Sequence, residues 1–467
     1  MATGLSQTKW ANDIESHATT NSFEYSLTYD GKLPDSDVLR TTPANVELLF
    51  SNITGNPLYR NMLLFSENLN ALSYLLYNRK LKGKIRLVYI DPPFATNQIF
   101  QSRLQKDAYI DVLTGSHYIE FLRQRLILIR ELLSNDGSIY LHLDENIVFE
   151  IKLIMDEVFG KSNYRNFITR KKCNTKNYTR KVFGNISDYI LFYSKSSEYV
   201  WNRPVNGWSK EDGNKEYQYI EEGTGRRYKK VPIHAPGVRN GETGKPWRGM
   251  LPPPGKHWQY IPAKLEEMDK KGEMFWSSNG NPRRKIYLDQ NGGIPIQDIW
   301  LDYKDAHNQN IEITGYPTEK NYDMLQMIVN ASSNPGDIVL DCFSGSGTTL
   351  AAADFLDRNW IGIDSSIEGI NTTLKRFFHG TAKMGDFVSN KKVNDDTTIS
   401  LFDSLETIQN LPDKVKKAIK IPAFEFYVQD IFGMHSNDLV KGYLKESPEH
   451  THPAVSKSMK SRVTPSL

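Results

Sequence analysis

Cysteine is almost absent from this chain of 467 residues: there are two, Cys173 and Cys342. Two thiols so far apart cannot frame a disulfide scaffold or a structural zinc site, and they fit a reducing cytosol. Long apolar runs are missing as well. No stretch approaches the length of a membrane span, and the opening MATGLSQTKWANDIES lacks the apolar core of a signal peptide. A soluble, cytoplasmic protein without a membrane partner is the expectation. Net charge is scarce too, +3 over the whole chain, so bulk charge selects no partner. The histidines and cysteines show no metal-ligand spacing, and no metal is expected. With 39% hydrophobic residues the chain can nevertheless bury a sizeable core. Its length allows roughly two to four domains.

Charge gains meaning once it is localised. Between Trp201 and Gln290 there are 17 Lys+Arg against 11 Asp+Glu, and five of the eight tryptophans lie there. Just upstream, RKKCNTKNYTRK (Arg170 to Lys181) carries six basic residues and no acid. Basic and aromatic residues mixed in a Gly/Pro-rich stretch suit a surface that meets phosphates and bases. They equally suit a solvated, loop-rich insertion.

On either side of this stretch strands and helices alternate. NMLLFSENLNALSYLL reads as a strand, a polar turn and a helix, and IRLVYI as a buried strand. YIEFLRQRLILIRELL (Tyr118 to Leu133) has helical apolar spacing. Asn135-Asp136-Gly137 reads as a turn before the strand GSIYLHLD. ENIVFEIKLIMDEVFG is a second helix with Gly160 as its C-cap, and NYRNFITRKK and SDYILFYSK are two further strands. The rhythm fails from about Trp201 to Gln297. It resumes with the helix KNYDMLQMIVNASS, the strand IVLD, a glycine turn, the helix TLAAADFLDR and the strand WIGID. Such alternation implies a largely parallel α/β sheet. Near the end, IPAFEFYVQDIFGM is an apolar patch in a polar region, able to pack on the core or to dock a partner.

Two constellations carry chemistry. DCFSGSGTT, Asp341 to Thr349, lies between a strand and a helix, where glycines let a ligand approach the backbone and the helix end offers free N–H groups. It lacks the third glycine of a dinucleotide fingerprint and the Gly-Lys-Ser/Thr of a P-loop. Asp364, at the end of the next strand, can accept from both ribose hydroxyls of an adenosine. The second constellation is Asp91-Pro92-Pro93-Phe94, directly after IRLVYI. Prolines leave stiffly held carbonyls. With the Asp91 carboxylate they can grip both hydrogens of an aryl amine, while Phe94 offers a face for stacking.

Asp-Pro-Pro-aromatic followed, across a basic insertion, by Phe-x-Gly-x-Gly resembles the beta class of DNA amino-methyltransferases, which methylate adenine N6 or cytosine N4. That class includes the modification subunits of type III restriction systems. The resemblance covers roughly residues 45–380. It implies a Rossmann-like class I methyltransferase sheet, mixed but mostly parallel, and S-adenosyl-L-methionine as methyl donor. The implied layout is an arm (1–44), a catalytic half (45–200), a target-recognition insertion (201–297), a cofactor-binding half (298–385) and a C-terminal extension (386–467). Asp91, Pro92, Pro93 and Phe94 take the catalytic role. The implied cofactor-binding set is Asp341, Phe343, Gly345, Ser346, Gly347, Thr348, Thr349 and Asp364, with Thr318 and Lys320 at the methionine end and Glu67 and Asn68 near the adenine. Where many relatives have Gly-Asp-Asn this chain has Ser66-Glu67-Asn68, and Lys-Pro is here Lys320-Asn321. Arg170, Lys171, Lys172, Arg283, Arg284 and Lys285 are candidate phosphate contacts. Double-stranded DNA is the implied substrate, and a homodimer and a restriction endonuclease subunit are the implied partners. Asp91, where N4-cytosine enzymes more often carry Ser, favours adenine. An RNA or protein methyltransferase usually has the glycine motif first. A regulatory subunit without catalysis leaves two intact motifs unexplained, and a nicotinamide-dependent oxidoreductase leaves DPPF unexplained.

Overall fold

A computed structural model describes residues 26–93, 115–175, 181–305, 312–313, 319–379, 381–383 and 422–429. Contacts divide the chain into two compact units, one of residues Met1–Asn202 and Asp298–Leu467, the other Arg203–Gln297.

Among the described residues the first unit is built on one ten-stranded sheet. Its principal elements in chain order are β1 (Val46–Ser51), β2 (Asn61–Phe65), α1 (Asn68–Tyr77), β3 (Ile85–Ile90), α2 (Ser116–Leu132), β4 (Leu133–Leu143), α3 (Val148–Phe159), β5 (Tyr164–Lys171) and β6 (Ser187–Ser194). After the second unit follow β7 (Ile299–Trp300), α4 (Tyr322–Ser332), β8 (Ile338–Asp341), α5 (Thr348–Phe355), β9 (Asn359–Asp364), α6 (Ile367–His379) and β10 (Phe424–Gln429). The strand order is β1-β10-β2-β9-β8-β3-β4-β6-β5-β7. Pairing is parallel from β10 through β2, β9, β8 and β3 to β4, and antiparallel at β1/β10, β4/β6 and β6/β5. This is the largely parallel α/β sheet that the alternating pattern predicts, and the mixed, Rossmann-like sheet that the resemblance implies. The central strands are apolar on both faces, as helix-covered parallel strands must be. Leu63, Leu64, Leu87, Val88, Ile90, Val339 and Leu340 are fully buried.

Two elements differ from the sequence reading. Asn135-Asp136-Gly137 is not a turn: α2 runs straight into β4, and the pairing with β3 slips between Ile85/Leu133 and Leu87/Ser138. The three residues form a bulge, which only a glycine permits, because a Cβ on Gly137 would meet the Leu133 side chain at 2.9 Å and two carbonyls at 3.0 Å. The apolar patch near the end also finds its place. FEFYVQ is β10, inserted between β1 and β2, with Phe424 and Phe426 fully buried. Residues 26–44 lie as a peripheral layer on α2 and α3: Tyr29 donates to Glu120 (2.6 Å) and Lys32 pairs with Glu157 (2.8 Å).

The second unit has its own core of Ile233, Trp247, Trp258, Leu265, Met268 and Met274. It holds a four-stranded antiparallel sheet, Met274–Trp276, Pro282–Tyr287, Arg227–Val231 and Tyr219–Ile220. The pair Val205–Asn206 and Ile294–Pro295 brings its two ends together. The tryptophans suggested by composition as base-stacking surface are in part structural. Trp247 and Trp258 are buried, and the indole N–H groups of Trp247, Trp258 and Trp276 are satisfied by Glu266, the Lys245 carbonyl and Asp269.

Candidate active site

The carboxyl ends of four neighbouring strands, β2, β9, β8 and β3, converge on one edge of the sheet. That edge is where open α/β sheets bind ligands. β8 delivers Asp341 and the turn Phe343-Ser344-Gly345-Ser346-Gly347, after which α5 begins at Thr348. Gly347 is left-handed (φ 71°), and a Cβ there would sit 2.7 Å from the Thr373 hydroxyl. α6 straps the turn from behind. Thr373 donates to the Gly345 carbonyl (2.9 Å), and Arg376 donates to the Ser346 carbonyl (2.8 Å) and the Thr348 hydroxyl (3.0 Å) while pairing with Glu319. Asp364, at the end of β9, is held by two backbone N–H groups, Gly345 on Oδ2 and Ser366 on Oδ1, each at 2.7 Å. Both oxygens keep lone pairs for further donors. Asp341 is buried; it accepts from Phe343 N–H (3.0 Å) and from Thr349, yet burial pushes its carboxyl up to about 7.

Glu67 and Asn68 follow β2. Glu67 caps α1 through Asn70 N–H (3.1 Å) and pairs with Arg125. Asn68 donates to the Cys342 carbonyl (3.0 Å) and accepts from the same Arg125. The guanidinium of Arg125 lies 3.5 Å over the Phe121 ring. The Asn68 amide thus ties the start of α1 to the glycine turn.

β3 ends in Asp91-Pro92-Pro93; Phe94 and Thr318 lie outside the described residues. Asp91 Oδ2 is 2.7 Å from the Lys320 ammonium, so the segment ahead of α4 meets the end of β3. Asp91 Oδ1 is shut off from solvent and has no hydrogen-bond partner among the described residues. Behind it stands His142 of β4, fully buried, with Nδ1 2.8 Å from the Tyr89 hydroxyl and 3.9 Å from Asp91 Oδ1. His142 Nε2 is 3.0 Å from Asp188 Oδ2 on β6. Arg170 grips Asp188 with two nitrogens, Asp305 at 2.7 Å and the Tyr303 carbonyl at 3.0 Å. Burial alone would raise the Asp188 carboxyl, but His142 and Arg170 outweigh it and hold it well below the usual range. Arg170 therefore cannot be a phosphate contact. Its side chain is fully buried and its charge is consumed inside the sheet.

A family model described as DNA methylase matches residues 85–375, more than half of the chain. This chain belongs to the DNA methylase family. The type II methyltransferase M.EcaI of Enterobacter cloacae is 46% identical to it over 398 residues, covering 85% of this chain and 87% of that one. The type III restriction-modification enzyme StyLTI Mod subunit of Salmonella typhimurium is 25% identical over 337 residues, covering 64% of this chain. The chain spans 50% of that relative's length. Among solved structures, the M1.HpyAVI–SAM complex superposes with a TM-score of 0.38 at 18% identity, over 68% of this chain and 98% of that one.

The cofactor of the methylase is S-adenosyl-L-methionine, and the edge described above fits it. The glycine turn admits a close backbone approach, Asp364 presents an oriented acceptor, and the Ser344 hydroxyl is buried without a partner among the described residues. The other basic candidates differ from one another. Lys171 and Lys172 are half-buried at the end of β5. Arg283 is exposed, whereas Arg284 is bonded to the Tyr260 hydroxyl (2.7 Å) and Lys285 to Glu221 (2.8 Å). Sequence reasoning missed His142 and Asp188. The available signal was a polar residue in each of two otherwise apolar strands, IYLHL and DYILFY. Among the described residues no cluster of metal-ligating side chains occurs, and no helix is long and apolar enough to cross a membrane.

Proposed function

We propose that this DNA methylase transfers the methyl group to the N6 amine of an adenine swung out of duplex DNA, within a restriction-modification system. The observation that carries the reading is the Asp91 carboxylate, sheltered but not sealed, its side chain 17% exposed. It stands at the end of β3, beside β8 and its glycine turn. An exocyclic amine is a poor nucleophile because its lone pair is delocalised into the ring. The Asp91 carboxylate accepting one N–H, with the Pro92 carbonyl accepting the other, favours a pyramidal nitrogen with its lone pair free. When bound, the cofactor supplies a sulfonium methyl, released as the C–S electron pair returns to sulfur. The same carboxylate is then a base at hand for the proton that the nitrogen sheds. Holding amine and methyl in line supplies much of the acceleration, and the amine reaches Asp91 only if its base leaves the stack.

Carboxylate rather than hydroxyl at position 91 supports adenine over cytosine. Arg203–Gln297 serves as the target-recognition unit, with Arg283 and, from the core, Lys171 and Lys172 on phosphates. The relatives' names, type II methyltransferase and type III Mod subunit, support the restriction-modification setting. A homodimer and a cognate endonuclease belong to the same reading.

The test is transfer from labelled S-adenosylmethionine to mixed-sequence duplex DNA, with nucleoside analysis, for wild type and Asp91→Ala. N6-methyladenine from wild type and none from the variant is the expected result. N4-methylcytosine would overturn the base assignment, and undiminished transfer by Asp91→Ala would remove Asp91 from the chemistry.

A further inference from the structure

The two oxygens of Asp91 are treated differently. Oδ2 is 2.7 Å from Lys320 Nζ, whereas Oδ1 is buried without a partner among the described residues. The pair is well sheltered, the lysine side chain being 12% exposed and the aspartate 17%. Sheltered pairs are screened little by salt and hold geometry better than surface pairs. The terminal torsion of an aspartate is broad. An unpinned Asp91 would therefore sample many orientations, few of them aimed at the amine. Lys320 enters just ahead of α4, far in sequence from β3, and fixes one of them.

We propose that Lys320 is a positioning residue for methyl transfer: its grip on Oδ2 fixes the orientation in which the Asp91 carboxylate meets the amine. The inference rests on the reading of Asp91 as the amine's acceptor. It departs from the resemblance, which puts Lys320 at the methionine end of the cofactor. The two roles separate kinetically. A residue that acts through Asp91 is felt in the chemical step at saturating cofactor, and one that binds the cofactor is felt in cofactor affinity.

The experiment compares Lys320→Gln, Lys320→Arg and Asp91→Asn in the full chain. S-adenosylmethionine affinity is read by calorimetry and transfer to duplex DNA by single-turnover kinetics at saturating cofactor. Lys320→Gln is expected to slow the single-turnover step about 10- to 100-fold, the loss typical of a misplaced reacting group. Its cofactor Kd should stay within about tenfold of wild type. Lys320→Arg, which keeps the cation, should recover part of the rate. A larger rise in Kd, or a wild-type rate in Lys320→Gln, overturns the assignment. Loss in Asp91→Asn with none in Lys320→Gln removes the role of Lys320 alone. Full transfer by Asp91→Asn instead removes the reading beneath it. Should Lys320→Gln fail to fold, Lys320→Met, which keeps the apolar stem, gives the same readout.

Discussion

Replacing Phe426 by Ala tests whether residues far beyond the family match belong to the enzyme's core. Phe426 lies on β10, opposite Phe50 of β1 and Leu63 of β2, and is 0% exposed. Burying a large apolar side chain is worth about 1.5–3 kcal/mol. Truncation also leaves a cavity on the covered face of the sheet, so the expected loss is about 3–5 kcal/mol. Phe183, fully exposed, is the control and should change stability by less than about 0.5 kcal/mol. Urea unfolding read by tryptophan fluorescence measures both, since Trp360 packs 5.8 Å from Phe424. The loss should reach the cofactor as well. Gln429 at the end of β10 accepts from Ser66 Oγ (2.6 Å) and Glu67 N–H (3.0 Å), beside the site. A Phe426→Ala protein with wild-type stability would refute the placement of β10 inside the sheet.

Gly347→Ala must force a left-handed backbone and press its methyl within 2.7 Å of Thr373. Strain and crowding together cost about 2–4 kcal/mol, and calorimetry should show S-adenosylmethionine binding weakened at least about tenfold. Asp188→Asn strips Arg170 and His142 of their shared anion. Because Asp305 remains on the guanidinium, the expected loss is about 3 kcal/mol, the low end for a broken buried pair, measured by urea unfolding. Asp341, raised from 3.8 to about 7, disfavours its charged form in the fold. The folded chain therefore holds a proton that the unfolded chain has lost. That contribution is full below about pH 4 and is lost as pH rises through about 7. Unfolding free energies across that range should fall with pH in wild type, relative to an Asp341→Asn variant without this slope. A parallel pH dependence in the two proteins would sink the assignment.

The parts legible from sequence were those whose causes are local. IRLVYI followed by DPPF, and IVLD followed by a glycine turn and a helix, each carry strand, stop and ligand-facing residues within a few positions. The parts missed depend on distant partners. Arg170 looked like its basic neighbours, and only Asp188 and Asp305, 18 and 135 positions away, make it an interior charge. The Lys320–Asp91 pair joins positions that nothing in the sequence links. FEFYVQ could be read as apolar, but nothing in it names β1 and β2 as its neighbours. Asn135-Asp136-Gly137 has turn chemistry, and the bulge wins because Gly137 can fit beneath the β3 backbone.

The insertion of β10 between β1 and β2 also sets an order of assembly. Ser66 and Gln429 are bonded across 363 positions of chain, and contacts so distant form late because the loop they close is long. While a ribosome is still making this protein, both motifs can exist in the nascent chain, but β2 still presents an unpaired edge. That edge is sticky until β10 arrives. The same strand that seals it also brings Gln429 to the backbone of Glu67. The methylating centre is thus completed by the last of the described strands to emerge, so a chain terminated before it is left with an open edge and an unfinished site.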